Sequence, residues 1–311
     1  MRIVIRLVAA VVLLLAGLAA FDYFAPYTSA RLGLALEQRR SGLEEARATI
    51  PGFEMPYLHG GQGEPLLLIH GFGADKNNFT RVARLLTPHY RVVIPDLPGF
   101  GDASKPADAS YAIADQVERL RLFAQGLGLK RVHLGGSSMG GFIATTWAAK
   151  YPDEVASLWL LAPGGTAAAY DSELRREYEK TGRILLVAKT VEEHAAVRAI
   201  AMKHEPFLPY SFKRVLGERA AANYALHTRI FEQFGKETAL EATVTRLEAP
   251  ALIVWGAEDR VLNPRGAEAM RGFMPNARVI VMPGIGHLPM IEAVGATGAD
   301  YVAFRQQLAG P

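Results

Sequence analysis

The chain opens on an unbroken apolar run. Leu7–Phe21 carries no charge; Arg2 and Arg6 precede it and Asp22 closes it. Counted from Ile3, with Arg6 snorkelling to the headgroups, the 19 residues to Phe21 would span roughly 28 Å at about 1.5 Å per residue. That approaches the roughly 30 Å hydrocarbon thickness of a bilayer. Tyr23, Phe24 and Tyr27 follow where an interfacial aromatic belt would stand. The pattern predicts a transmembrane anchor over residues 1–28. The competing reading is a secretory signal peptide cut after Gly17-Leu18-Ala19, a poor cleavage site that leaves the retained anchor favoured. By the positive-inside rule Arg2 and Arg6 stay cytoplasmic. The rest of the chain is then expected on the periplasmic side of the inner membrane.

Residues 29–50 change period. Over Ser29–Ala48, Leu32, Leu36 and Leu43 fall near one face, against Arg31, Glu37, Arg39, Arg40 and Glu45. This predicts a juxtamembrane helix, serving as a spacer, lying on lipid or pairing with another copy. Ala16 and Ala20 supply one small-xxx-small step, so a homodimer through the N-terminal helices is admitted.

From Pro51 onward short apolar runs alternate with helical patterns. Pro65–Ile69, Tyr90–Ile94, Val132–Leu134, Ala156–Leu161, Ala251–Trp255 and Ala277–Val281 are bounded by turn residues and read as strands. Their near-continuous apolar character implies burial on both faces, hence a mostly parallel sheet. Ala112–Leu127, Met139–Lys150, Pro264–Phe273 and Asp300–Leu308 carry the helical period that would cover it. The predicted class is a doubly wound α/β core over residues 51–164 and 248–311. About ninety residues separate Leu161 from Ala251, far more than the few that usually join two such elements. Helical stretches at Ser172–Arg183, Val191–Lys203 and Ser211–Phe234, interrupted at Pro206-Phe207-Leu208-Pro209-Tyr210, predict a helical cap over residues 165–247.

Composition narrows the chemistry. With no cysteine, disulfides, thiolate catalysis and Cys-based zinc sites are excluded. A net charge of +3, without a basic run, excludes a nucleic-acid footprint.

The candidate chemistry sits at strand ends, where ligands bind in such sheets. Gly136-Ser137-Ser138-Met139-Gly140 fits G-x-S-x-G between a buried strand and a helix, the setting of a nucleophile elbow. Ser138 is the predicted nucleophile; Ser137 is out of register. His70-Gly71-Phe72-Gly73 follows an earlier strand, so the Phe72 and Met139 N–H groups are candidates for an oxyanion hole. His70 itself reads as a brace for the turn. The acid must follow a later strand, and Gly256-Ala257-Glu258-Asp259-Arg260 offers Asp259, with Glu258 as the alternative. Of eight histidines only His287 follows Asp259, in the glycine-rich loop Pro283-Gly284-Ile285-Gly286-His287. Neither a metal nor a cofactor is required by this chemistry.

Together with Pro95-Asp96-Leu97-Pro98-Gly99-Phe100-Gly101 and Trp255-Gly256-Ala257-Glu258-Asp259-Arg260-Val261-Leu262, these segments resemble the α/β-hydrolase lipases. The anchor and cap are similar to those of membrane-anchored monoacylglycerol lipases and bacterial membrane-bound phospholipases A. The resemblance implies hydrolysis of membrane lipid acyl esters, with the cap lining an acyl tunnel. A small-ester esterase or a meta-cleavage-type C–C hydrolase would use the same triad. An inactive scaffold is the reading from a different class, and the intact set of candidate groups argues against it.

Overall fold

The computed structural model describes residues 1–309. Helix α1 (Arg2–Phe24) buries no residue and is long and apolar enough to cross a membrane. After a bend at Ala25 comes α2 (Pro26–Arg40). Here the predicted juxtamembrane helix is corrected: it stops at Arg40, and residues 44–50 form strand β1 (Glu44–Ile50). The reason is Gly42, whose φ of +64° ends the helix. Gly42 N–H donates to Arg39 O at 3.1 Å and Leu43 N–H to Gln38 O at 2.9 Å, a Schellman closure. Strand β2 (Phe53–Gly60), also absent from the expectation, pairs antiparallel with β1.

The sheet continues through β3 (Pro65–Ile69), β4 (Arg91–Pro95), β5 (Val132–Ser137), β6 (Val155–Leu161), β7 (Ala251–Gly256) and β8 (Ala277–Met282). Spatial order is β1-β2-β4-β3-β5-β6-β7-β8. All pairs from β4 to β8 are parallel, and β2 is antiparallel to both its neighbours. The apolar runs work because both faces are covered. Along β3, Leu67 and Ile69 enter one core while Leu66 and Leu68 enter the other.

The chain places a short α3 (Thr80–Ala83) after β3, α4 (Ile113–Gly126) after β4 and α5 (Met139–Lys150) after β5. Between β6 and β7 lie α6 (Ala167–Tyr170), α7 (Glu173–Thr181), α8 (Val191–Ala201), α9 (Tyr210–Ala222), α10 (Tyr224–Phe234) and α11 (Leu240–Thr243). The single helix expected over Ser211–Phe234 is thus two, parted at Asn223, whose Nδ2 donates to Arg219 O at 2.7 Å. The chain closes through α12 (Gly266–Phe273), α13 (Pro289–Glu292) and α14 (Val294–Ala309). Val117 and Phe123 of α4, Ile143 and Trp147 of α5 and Met270 of α12 fill one core. Val82 of α3 with Tyr301 and Phe304 of α14 fill the other, where Tyr301 stacks on Trp159 at 4.4 Å.

The register aligns the strand ends that matter. Ser137 pairs with Leu161, Leu161 with Val254, and Val254 with Ile280. The loops after β5, β7 and β8 therefore leave the same edge of the sheet, and all three candidate side chains follow that edge.

Candidate active site

Ser138 occupies the turn between β5 and α5 with φ 55° and ψ −118°, a region a non-glycine residue adopts at a cost of roughly 1–3 kcal/mol. Its surroundings leave no alternative. A Cβ at Gly136 would stand 2.3 Å from Gly140 O, and one at Gly140 would stand 2.1 Å from Ile69 O. Ser138 N–H donates to Leu161 O at 3.0 Å, while Ser138 O accepts from Gly141, Phe142 and Gly164 N–H at 2.9–3.1 Å. The serine is pinned from both sides at the start of a helix.

Met139 is the first residue of α5, so its N–H belongs to those with no partner inside the helix. Gly71 abuts the elbow: a Cβ there would lie 3.1 Å from Ser138 Cβ. Phe72, the next residue, wedges its ring edge-to-face against Phe100, His227 and Phe231. His70 braces this loop. It is fully buried, its Nδ1 lies 2.8 Å from Gly71 O, and its Nε2 accepts from Leu97 N–H at 3.0 Å. Those partners fix a neutral tautomer, and burial pushes its pKa down.

The second half of the site lies on the loops after β7 and β8. His287 Nδ1 is 2.7 Å from Asp259 Oδ2, with both side chains buried. Asp259 Oδ2 also accepts from Trp255 Nε1 at 2.9 Å, and Oδ1 accepts from Val261 and Leu262 N–H at 2.8 and 3.0 Å. Glu258 turns elsewhere, pairing with Lys203 Nζ at 3.3 Å. The structure thus joins His287 to Asp259 and not to Glu258. Among the described residues no hydrogen bond connects Ser138 to His287. Such contacts are often long without substrate and tighten in the complex.

Three contributors had no signal in the sequence. Trp255 reads as a strand residue, yet its Nε1 donates to Asp259. Glu292 takes Gly286 N–H on Oε1 at 3.1 Å and the N–H groups of Lys203 and His204 on Oε2 at 2.8 and 2.9 Å. Arg219 of α9 spans Asp75 at 2.8 Å and Asp102 at 3.0 Å. Asp102 also belongs to a network around the buried Lys76. Lys76 Nζ sits 3.0 Å from Asp96 and 2.8 Å from Asp102, and Lys76 N–H donates to Asp96 Oδ1 at 2.7 Å. Burial alone would lower the Lys76 pKa, but Asp96 and Asp102 hold it above its ordinary value. Lys76→Met leaves Asp96 buried without its cation and is expected to cost about 3–5 kcal/mol. Thermal unfolding of the detergent-solubilised protein checks this, and an unchanged midpoint contradicts it.

Buried histidines make stability pH-dependent, His133 and His227 among them. Burial pushes His133 down from 6.5 to about 3 and His227 from 6.5 to about 4. Each stays neutral in the fold, while the unfolded chain binds a proton below pH 6.5. Their contribution is therefore complete above pH 6.5 and is lost as pH falls through about 4 for His227 and about 3 for His133, by up to roughly 1.4 kcal/mol per pH unit for each. The melting temperature is expected to drop between pH 7 and 5, and less steeply in His227→Phe.

A cavity of about 360 Å³ lined by Arg121, Leu129, Lys130, Val132 and Trp147 lies at the far end of β5 and is unrelated to this site. Among the described residues no three His, Cys, Asp or Glu side chains are grouped to hold a metal.

A profile of the alpha/beta hydrolase fold matches residues 64–294. The chain belongs to the α/β-hydrolase family. It is 40% identical to lipase 3 of Moraxella sp. (strain TA144) over 279 residues, covering 88% of each chain. Monoacylglycerol lipase abhd6-A of Xenopus laevis is 28% identical over 75% of this chain and 72% of its own. A solved structure described as a membrane phospholipase A, a novel bacterial virulence factor, superposes with a TM-score of 0.90 at 41% identity, covering 100% of both chains. Within the family, this α/β-hydrolase resembles the lipases.

Proposed function

We propose that this α/β-hydrolase is a membrane-anchored serine ester hydrolase. It cleaves acyl esters of membrane lipids as a phospholipase A, lysophospholipase or monoacylglycerol lipase. The observation that carries the reading is the 2.7 Å His287–Asp259 contact at the sheet edge that also presents the Ser138 elbow. The similarity to lipases supports the lipid class.

Ser138 Oγ attacks the ester carbonyl carbon as His287 Nε2 takes its proton. Asp259 holds Nδ1–H and stabilises the imidazolium. The oxyanion meets the N–H groups of Phe72 and Met139 at the N-terminal end of α5, where the helix dipole also favours negative charge. Collapse expels the alcohol, protonated by His287, and leaves an acyl group on Ser138. Water, deprotonated by His287, then releases the fatty acid.

Residues 165–247 act as the cap, and α1 holds the domain against the periplasmic face of the inner membrane. Substrate then passes from bilayer to site without crossing bulk water. Two copies can pair through the Ala16–Ala20 face of α1. The chain-length profile tests the lipid reading: kcat/KM is measured on soluble acyl esters from acetyl to palmitoyl and on monoacylglycerol. Long chains and monoacylglycerol are expected to be preferred. Efficient cleavage of short esters with no turnover of any lipid would move the function to a small-ester esterase.

A further inference from the structure

The segment Met202–Pro209, between α8 and α9, holds a large exposed apolar side chain that the proposed chemistry does not use. Phe207 is 86% exposed, in the run Pro206-Phe207-Leu208-Pro209. Both ends of the segment are fastened, and to different things. Its downstream end joins the membrane anchor. Ser211 N–H, in the first turn of α9, donates to Asp22 Oδ2 at 3.2 Å, the Tyr210 ring rests on Tyr23 at 4.9 Å, and Tyr27 OH bonds Glu218. Its upstream end joins the candidate base. His287 N–H donates to Ala201 O at 2.9 Å, and Glu292 ties Lys203 and His204 to Gly286.

Three chain steps, through Leu208 and Pro209, separate Phe207 from Tyr210, a reach of at most roughly 11 Å. Phe207 therefore lies within that reach of Tyr210, which packs on the end of α1, where Tyr23, Phe24 and Tyr27 are also exposed. Those aromatics mark the bilayer interface if α1 spans it. Pro206 and Pro209 restrict the backbone that presents Phe207, so little ordering is left to pay on insertion.

We propose that Met202–Pro209 is a second membrane contact: Phe207 enters the interface of the bilayer that α1 crosses, and the segment links that contact to the His287 loop. The link to catalysis rests on the function proposed above; the lipid contact does not. Phe207→Trp in the Ser138→Ala background, full length and in phosphatidylcholine vesicles with brominated acyl chains, reads the contact directly. Trp147, Trp159 and Trp255 are 0–2% exposed and give little background to a water-borne quencher. The expected result is added blue-shifted emission, quenched by brominated chains and shielded from iodide. Red-shifted emission quenched by iodide and not by bromine overturns the contact. The catalytic link is read from Phe207→Ser, for which turnover of vesicle lipid relative to a soluble ester is expected to fall roughly tenfold. An unchanged ratio overturns the link. Should the wild type release no fatty acid while the indole introduced by Phe207→Trp is still quenched by bromine, the proposed function fails and the membrane contact stands.

Discussion

Ser138→Ala is expected to lower ester turnover by about 10⁵- to 10⁶-fold and to abolish labelling by a fluorophosphonate. No other group in the site can replace its oxygen. The elbow keeps its shape in this variant, because the turn is held by backbone bonds to Leu161, Gly141, Phe142 and Gly164 and not by the hydroxyl. Circular dichroism and the melting midpoint should therefore stay close to wild type. Ser137→Ala is the matched comparison. Ser137 Oγ is buried with no hydrogen-bond partner, so its loss should leave turnover within a few-fold. Equal losses in both variants would remove Ser138 from its assigned role.

Asp259→Asn is expected to cost about 10⁴-fold in kcat, the penalty for holding the base in the wrong tautomer. The carboxylate here faces four donors: His287 Nδ1, Trp255 Nε1 and the N–H groups of Val261 and Leu262. An amide must turn its NH₂ toward one pair of them. Facing His287 and Trp255, it forces the proton from Nδ1 to Nε2, where the base must accept. Facing the backbone pair, it opposes two N–H groups and loosens the loop. Glu258→Gln changes only a partly exposed pairing with Lys203 and should alter kcat by less than about tenfold. The opposite ranking, with Glu258→Gln the more damaging, would transfer the acid's role to Glu258.

Much of this arrangement is legible in the sequence because its causes are local. Gly136, Ser138 and Gly140 obey a steric demand of one tight turn, and apolar runs such as Leu66–Ile69 report burial on both faces. Strand β1 is hidden for an equally physical reason. It is an edge strand with mostly exposed or half-exposed residues, so Glu44, Glu45 and Arg47 blur its alternation, and Leu43 prolongs the helical stripe of Leu32 and Leu36. Only Gly42 marks the boundary. Asn223 is as faint a sign of the break between α9 and α10. The supporting residues Glu292 and Arg219 are illegible for another cause. Arg219 meets Asp75 across 144 positions and Glu292 meets Lys203 across 89, pairings that only the folded chain creates. Motif spacing picks out the candidate groups; it does not find what holds them.

The most direct test is fatty-acid release by the detergent-solubilised full-length protein from phospholipid, lysophospholipid and monoacylglycerol, side by side with Ser138→Ala. The wild type is expected to release fatty acid from at least one of these lipids, and the variant none above background. Release that persists in Ser138→Ala, or no release from any lipid while Ser138 still takes a fluorophosphonate, would contradict a lipid hydrolase built on this triad.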